Sequence, residues 1–233
     1  MLNKQSPKFL LGLMTGIAIV STVGFLIMTV AYFQKSKLVA DGNKNEENKQ
    51  AVQDKKEAPL KEKQDVKIGK NDYVRGDKKA KVEIVEFSDI QCPYCSRFHG
   101  TMKQVMDNYG DKVQWVFKHF PLAFHSQARP AALAAECAGE QGKYWDFIDY
   151  MYENQGSLGE EFFKSTAEGL KLKMDQFNKC VADQKYATKI DQDIAEGKGL
   201  GVSGTPKSFI NGVPVNGAYP YEEVKKIIDE QLK

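Results

Sequence analysis

The chain has no surplus of either charge: its 233 residues carry 33 Lys and Arg against 31 Asp and Glu, a net charge of +2. A dedicated nucleic-acid binder would show a clustered basic excess, so no nucleic-acid partner is expected. Cysteine is scarce. Four in the whole chain are too few for a small disulfide-stapled scaffold, although an even number allows two pairs. None precedes Cys92, which argues against lipid attachment at a processed N-terminal cysteine. Histidine is scarcer still, and His99, His119 and His125 lack the paired spacing of a zinc finger. With 42% hydrophobic and 27% charged residues, wholesale disorder is excluded and a packed core is expected.

Charge is also missing locally. Phe9 to Phe33 is a run of 25 residues without a charged side chain. As a helix it would reach roughly 37 Å, enough to cross a hydrocarbon core of about 30 Å with some tilt. A secretory signal peptide has a shorter apolar region and a small-residue cleavage site, for which Thr29-Val30-Ala31 is a poor candidate. Residues 9–33 are therefore expected to form an uncleaved transmembrane signal anchor, with residues 1–8 as a short cytoplasmic tail. Lys4 and Lys8 on one side and Lys35 and Lys37 on the other leave its orientation open. Residues 34–70 change character: between Asp41 and Lys70 stand eight lysines and seven acidic residues, with no helical or strand period. This stretch reads as a charged flexible linker. Residues 71–233 remain for one globular domain of ordinary size.

Within that domain, Lys81 to Phe87 is a short β-rich run suited to a buried central strand. Cys92-Pro93-Tyr94-Cys95 follows. The apolar residues Phe98, Met102, Val105, Met106 and Tyr109 then fall at helical spacing, up to Gly110. A strand thus feeds a CxxC at the first turn of a helix. Cys92 would sit where unpaired backbone N–H groups and the helix dipole favour a thiolate. Pro93 suits that turn because its missing N–H has no helical partner. Cys92 is expected to be an exposed, low-pKa nucleophile, and Cys95 a more sheltered thiol that resolves a mixed disulfide. The rival for a bare CxxC is half of a zinc site, but that needs two further ligands of matching spacing.

Val113 to Phe120 reads as a second strand, ended by Pro121. A long helical stretch follows, with an Ala-rich part at Ala131–Ala138 and an aromatic face of Tyr144, Trp145, Phe147, Ile148, Met151 and Tyr152. Near the C-terminus, Lys207–Ile210 and Val213–Val215 flank Asn211-Gly212, a strong hairpin signal. Pro206 at the mouth of a strand removes a ladder donor, which suits an edge or a cis bond. His99 is expected at the surface or core edge, and His119 and His125 in packing or hydrogen-bonding roles.

The segments IVEFSDIQCPYC, GVSGTPKSFINGVPV and the helical Tyr221–Leu232, in this order, resemble the DsbA-like branch of the thioredoxin superfamily over residues 72 to 233. The resemblance implies an α/β thioredoxin fold with a helical domain inserted at about residues 123–200. It implies that Thr205-Pro206 is the cis-proline loop facing the cysteines. Pro93, Tyr94, Val202, Thr205 and Pro206 would then contact an extended substrate backbone. Glu86 matches the family's buried acidic residue, a carboxylate of raised pKa able to relay the proton of Cys95.

Some DsbA-like proteins also carry a structural disulfide in the helical insertion, which would pair Cys137 with Cys180. Two free buried thiols are the alternative in a reducing compartment. A bridge and an anchor together point to an oxidising space, with the N-terminus inside and the domain on the extracytoplasmic side of a single-pass membrane anchor. The implied activity is disulfide formation in unfolded or reduced proteins, without a cofactor and with reoxidation by a membrane quinone-linked partner. A reductase or isomerase of the same fold is the alternative, although similar isomerases carry a folded dimerisation domain for which residues 36–70 are too short and polar. A non-enzymatic anchored peptide binder of chaperone type is a further one.

Overall fold

The structure, a computed structural model, describes residues 63–233. The proposed tail and span at 1–8 and 9–33, and the linker up to residue 62, lie outside the described residues. Residues 63–70, read as the end of the linker, lie on the domain: the Gln64 N–H donates to the Gly212 carbonyl at 2.9 Å, and Val66 and Ile68 pack on an apolar cluster. Their alternating polar neighbours mask this docking in the sequence.

Five strands form one sheet: β1 (Val74–Gly76), β2 (Val82–Ser88), β3 (Val113–His119), β4 (Lys207–Ile210) and β5 (Val213–Asn216). Their spatial order is β1-β3-β2-β4-β5. Strands β2 and β3 run parallel, and the other three pairings are antiparallel. A parallel pair at the centre of a sheet is buried on both faces, which explains the near-continuous apolar run of β2. Side chains alternate between faces. Val82 and Ile84 join Val113, Trp115 and Phe117 in the larger core, while Val85 and Phe87 join Val116, Phe120, Val202 and Phe209 in a second one.

Helix α1 (Pro93–Tyr109) and helix α7 (Tyr221–Leu232) supply Phe98, Met102, Val105, Val224 and Ile228 to the larger core. The Tyr109 hydroxyl donates to Asp229 Oδ1 at 2.7 Å and pins one helix to the other. Between β3 and β4 lie α2 (Ala128–Gly139), α3 (Tyr144–Glu153), α4 (Glu160–Gly169), α5 (Met174–Ala182) and α6 (Ala187–Gly199). These five helices lie within the stretch expected as an insertion. Helix α6 covers the opposite face of the sheet: a Cβ on Gly197 would come within 2.8 Å of Phe120 and 2.9 Å of Phe87. Cys137 on α2 and Cys180 on α5 form a disulfide with Cα atoms 5.8 Å apart. Asn211 and Gly212 both adopt positive φ, at 46° and 81°, as the expected two-residue hairpin requires.

Strand β1 was not anticipated. Three residues on a sheet edge show no period, and their pairing with β3 is decided by tertiary contact. His99 differs from expectation as well. It is buried on α1, stacks near Trp115 and Tyr152, and makes a 2.8 Å contact with Asp149. A position four residues after Cys95 returns to the same helix face, so His99 follows Cys95 inward.

Candidate active site

Strand β2 delivers the chain to Ser88, and Asp89-Ile90-Gln91 turns it into α1. Cys92 is the N-cap residue, in extended conformation, and Pro93 opens the helix. The Cys92 thiol is only 4% exposed and Cys95 0%. The nucleophile expected to be exposed is therefore largely covered, because the loop before β4 closes over it. The Thr205–Pro206 bond is cis, and Cys92 Sγ lies 3.6 Å from the Thr205 carbonyl, which accepts a hydrogen bond only from the protonated thiol. Tyr94, between the cysteines, is 58% exposed, with the Arg97 guanidinium over its ring.

Both thiols are free, and their environments differ sharply. The hydrogen bond from the Cys95 thiol is the largest influence on Cys92. It outweighs burial, and with the N–H groups of Cys95 and Tyr94 it brings the Cys92 pKa down to about 5. Those N–H groups belong to the helix's first turn, which lacks internal acceptors. Burial pushes Cys95 far above the ordinary thiol range, and its donation to Cys92 pushes in the same direction. At neutral pH one proton is shared on the inner sulfur and the outer one is an anion.

Glu86 is fully buried beneath the pair. Burial raises its pKa to about 7, while the Ser88 hydroxyl and the Trp115 indole N–H pull it partway back. The Trp115 Nε1–H donates to Oε2 at 3.0 Å, and Oε1 accepts no close hydrogen bond from the described residues. Ser88 Oγ lies 3.1 Å from the Tyr152 hydroxyl, and Ser88 also interacts with the Cys95 thiol. A carboxyl that changes protonation near neutrality thus stands close to a thiol whose proton must leave and return.

Of the residues expected to meet substrate, Pro93 and Tyr94 are exposed, and the Thr205-Pro206 loop lies against Cys92. The Val202 side chain packs in the second core with Val85 and Phe209. His119 bonds to the Tyr144 hydroxyl at 3.1 Å and lies 3.4 Å from Glu136, as a packing role predicts. Two supporting residues were not anticipated. Gln155 Nε2 donates to the carbonyls of Ile90 and Cys92, at 2.7 and 2.9 Å. It comes from a turn 63 residues away, and no local pattern marks it. Asp89 is the second, and an acidic residue in a tight turn is a recognisable acceptor for nearby N–H groups.

The family model described as thioredoxin matches residues 69–230. A thioredoxin-like oxidoreductase from Silicibacter pomeroyi is 26% identical, with a TM-score of 0.64, covering 70% of this chain and 92% of that one. Oxidised BdbD from Bacillus subtilis is 25% identical with a TM-score of 0.62, over 70% and 94% of the two chains. Wolbachia pipientis alpha-DsbA1 is 27% identical with a TM-score of 0.64, over 70% and 92%. Among curated relatives, the Na(+)/H(+) antiporter NhaA 1 of Salinispora arenicola is 35% identical over 67% of this chain. The chain spans about a quarter of the length of such relatives, 24% in that case. The chain belongs to the thioredoxin family, and its fold is shared with DsbA-like members of that superfamily.

Proposed function

We propose that this protein donates disulfides to unfolded or reduced proteins on the extracytoplasmic side of a membrane. The observation that carries the reading is the asymmetry of the thiol pair, with Cys92 held as an anion and Cys95 as a protonated thiol. Stabilising the thiolate stabilises the reduced enzyme, and a couple with a stabilised reduced form is oxidising.

Starting from the oxidised pair, a substrate thiolate attacks Cys92 Sγ. A substrate–Cys92 bond forms, the Cys92–Cys95 bond breaks, and Cys95 leaves as a thiolate. Protonated Glu86 then returns a proton to it. A second substrate thiolate attacks the substrate sulfur of the mixed disulfide, and Cys92 leaves as its stable anion. The substrate ends with a disulfide and the protein with two reduced cysteines. The extended Thr205-Pro206 loop offers the substrate backbone a strand-like edge beside Cys92, and exposed Pro93 and Tyr94 border it.

Among the described residues no helix is long and apolar enough to cross a membrane. The proposed single-pass anchor is the charge-free run at residues 9–33, with residues 34–62 as tether. A quinone-linked membrane protein would reoxidise the pair. The disulfide between Cys137 and Cys180 supports an oxidising compartment. Equilibration with glutathione buffers tests the reading: a potential near about −120 mV is expected for a disulfide donor, and one near about −270 mV would make the protein a reductase.

A further inference from the structure

One residue touches both cysteines through its backbone, the sulfur of one and the N–H of the other. The Asp89 N–H donates to Cys95 Sγ at 3.5 Å, and its carbonyl accepts the Cys92 N–H at 3.0 Å and the Tyr152 hydroxyl at 3.2 Å. A backbone amide is a useful partner for a buried thiol only if its direction is fixed. The Asp89 side chain supplies that fixity. Its Oδ1 accepts the Gln91 N–H at 2.7 Å, closing a tight turn just before Cys92. Its Oδ2 accepts the Leu122 N–H at 2.7 Å and lies 2.9 Å from His125 Nδ1. The carboxylate is fully buried and the imidazole is partly exposed, at 17%. With two backbone donors already on the carboxylate, the third contact is satisfied when Nδ1 carries the hydrogen. A parallel clasp, from the Gln127 N–H to Gln91 Oε1 at 2.7 Å, ties the same two segments together.

We propose that Asp89 is a positioning residue for the thiol pair and that His125, through Nδ1, holds it in register. The inference deepens the proposed function and rests on it. In the reduced protein, the Asp89 N–H engages Cys95 Sγ and leaves the Cys95 S–H directed at Cys92. During exchange, when Cys95 carries the negative charge, the same N–H faces the anion. Both effects require the turn to stay locked to the loop at 122–127. A purely structural carboxylate would contribute to stability and leave the sulfur chemistry alone.

Three variants of the full chain separate these roles. Asp89→Asn places an amide NH2 against at least one of its present donors, so the clasp opens. His125→Phe keeps an aromatic ring beside Phe124 but deletes the donor, and His125→Asn keeps a donor near the position of Nδ1. The readouts are the thiolate absorbance titration of reduced Cys92, the rate at which Cys95 resolves a mixed disulfide, and the melting temperature. Asp89→Asn and His125→Phe are expected to shift the Cys92 titration upward so that its acid dissociation constant falls about ten-fold, and to slow resolution about ten-fold. His125→Asn is expected to recover most of both changes.

If Asp89→Asn fails to fold, the His125 pair carries the test, because that side chain lies at the partly exposed edge of the contact. Unchanged titration and resolution in His125→Phe overturn the proposal, whatever happens to its melting temperature. Equal losses in His125→Phe and His125→Asn overturn the role of Nδ1 as well. A wild-type protein without exchange activity would instead sink the proposed function, and the positioning role with it.

Discussion

Glu86 sets a measurable pH dependence at the level of a single side chain. Its carboxyl titrates at about 7 in the folded protein and near 4.5 when unfolded, so between those values the folded state holds a proton that the unfolded state lacks. Stability therefore falls as pH rises from about 4.5 to 7 and carries the full penalty above that, on the order of 3 kcal/mol. Glu86→Gln should be more stable than wild type at pH 8, with the difference vanishing below about pH 4, as urea unfolding at several pH values would show. The same variant should slow attack of Cys95 on a mixed disulfide at Cys92, the reverse of the first exchange step, because no carboxyl remains to take the Cys95 proton. Equal stability differences at pH 4 and pH 8 would contradict the assignment. Cys95→Ser should accumulate a substrate–Cys92 mixed disulfide visible on a non-reducing gel, and Cys92→Ser should form none. The sequence made the cysteines and Glu86 legible because they lie on one strand–helix connection. It left Gln155 and the Asp89–His125 contact obscure, since those partners meet only after the insertion folds back. The inward turn of the Val202 side chain, toward Val85 and Phe209, is likewise unmarked, since it is set by tertiary packing.

Secondary-structure elements carry two further consequences. The Cys137–Cys180 bridge closes a separation of 43 residues between α2 and α5, a loop worth up to about 4 kcal/mol through the entropy of the unfolded chain. Replacing both by Ala should lower the unfolding free energy by ~2–4 kcal/mol, read from a lower denaturant midpoint, while leaving the Cys92 titration in place. Loss of the low thiol pKa in that variant would mean that the insertion shapes the site far more directly than the contacts imply. Helix α6 depends on the absence of a side chain at Gly197, where a methyl group would collide with the rings of Phe87 and Phe120. Gly197→Ala should destabilise by about 1–3 kcal/mol, measured by thermal or urea unfolding. The helices and the central strands could be read from periodicity, since each runs long enough to show its apolar repeat. Strand β1 could not, because three edge residues leave no repeat to read. The docking of residues 63–70 was hidden by their charge, as Val66 and Ile68 are too isolated to form a pattern.

Across the whole domain, a buried ionic cluster joins parts distant in sequence. Lys118 on β3 meets Asp72 at 3.1 Å and Glu196 at 2.7 Å. Lys189 on α6 meets Glu136 at 3.0 Å, Asp193 at 3.1 Å and Asp72 at 3.6 Å. The cluster links the segment before β1 to the sheet, the first insertion helix and the last. Removing one partner from such a group leaves buried charge uncompensated, so Lys189→Met should cost ~3–5 kcal/mol in unfolding free energy. A neutral result would show that water reaches the carboxylates. None of this was visible beforehand, because polar residues scattered over 125 positions read individually as surface.

The account turns on the ionisation of one sulfur, and following the thiolate absorbance of the reduced full chain against pH, with Cys95→Ser as a control, measures it directly. A first midpoint near 5 is expected for Cys92, with Cys95 remaining protonated beyond the ordinary thiol range and the control keeping a low midpoint for Cys92, since the serine hydroxyl donates in place of the thiol. A single transition near about 8.5 for both sulfurs, the value of free cysteine, would contradict it.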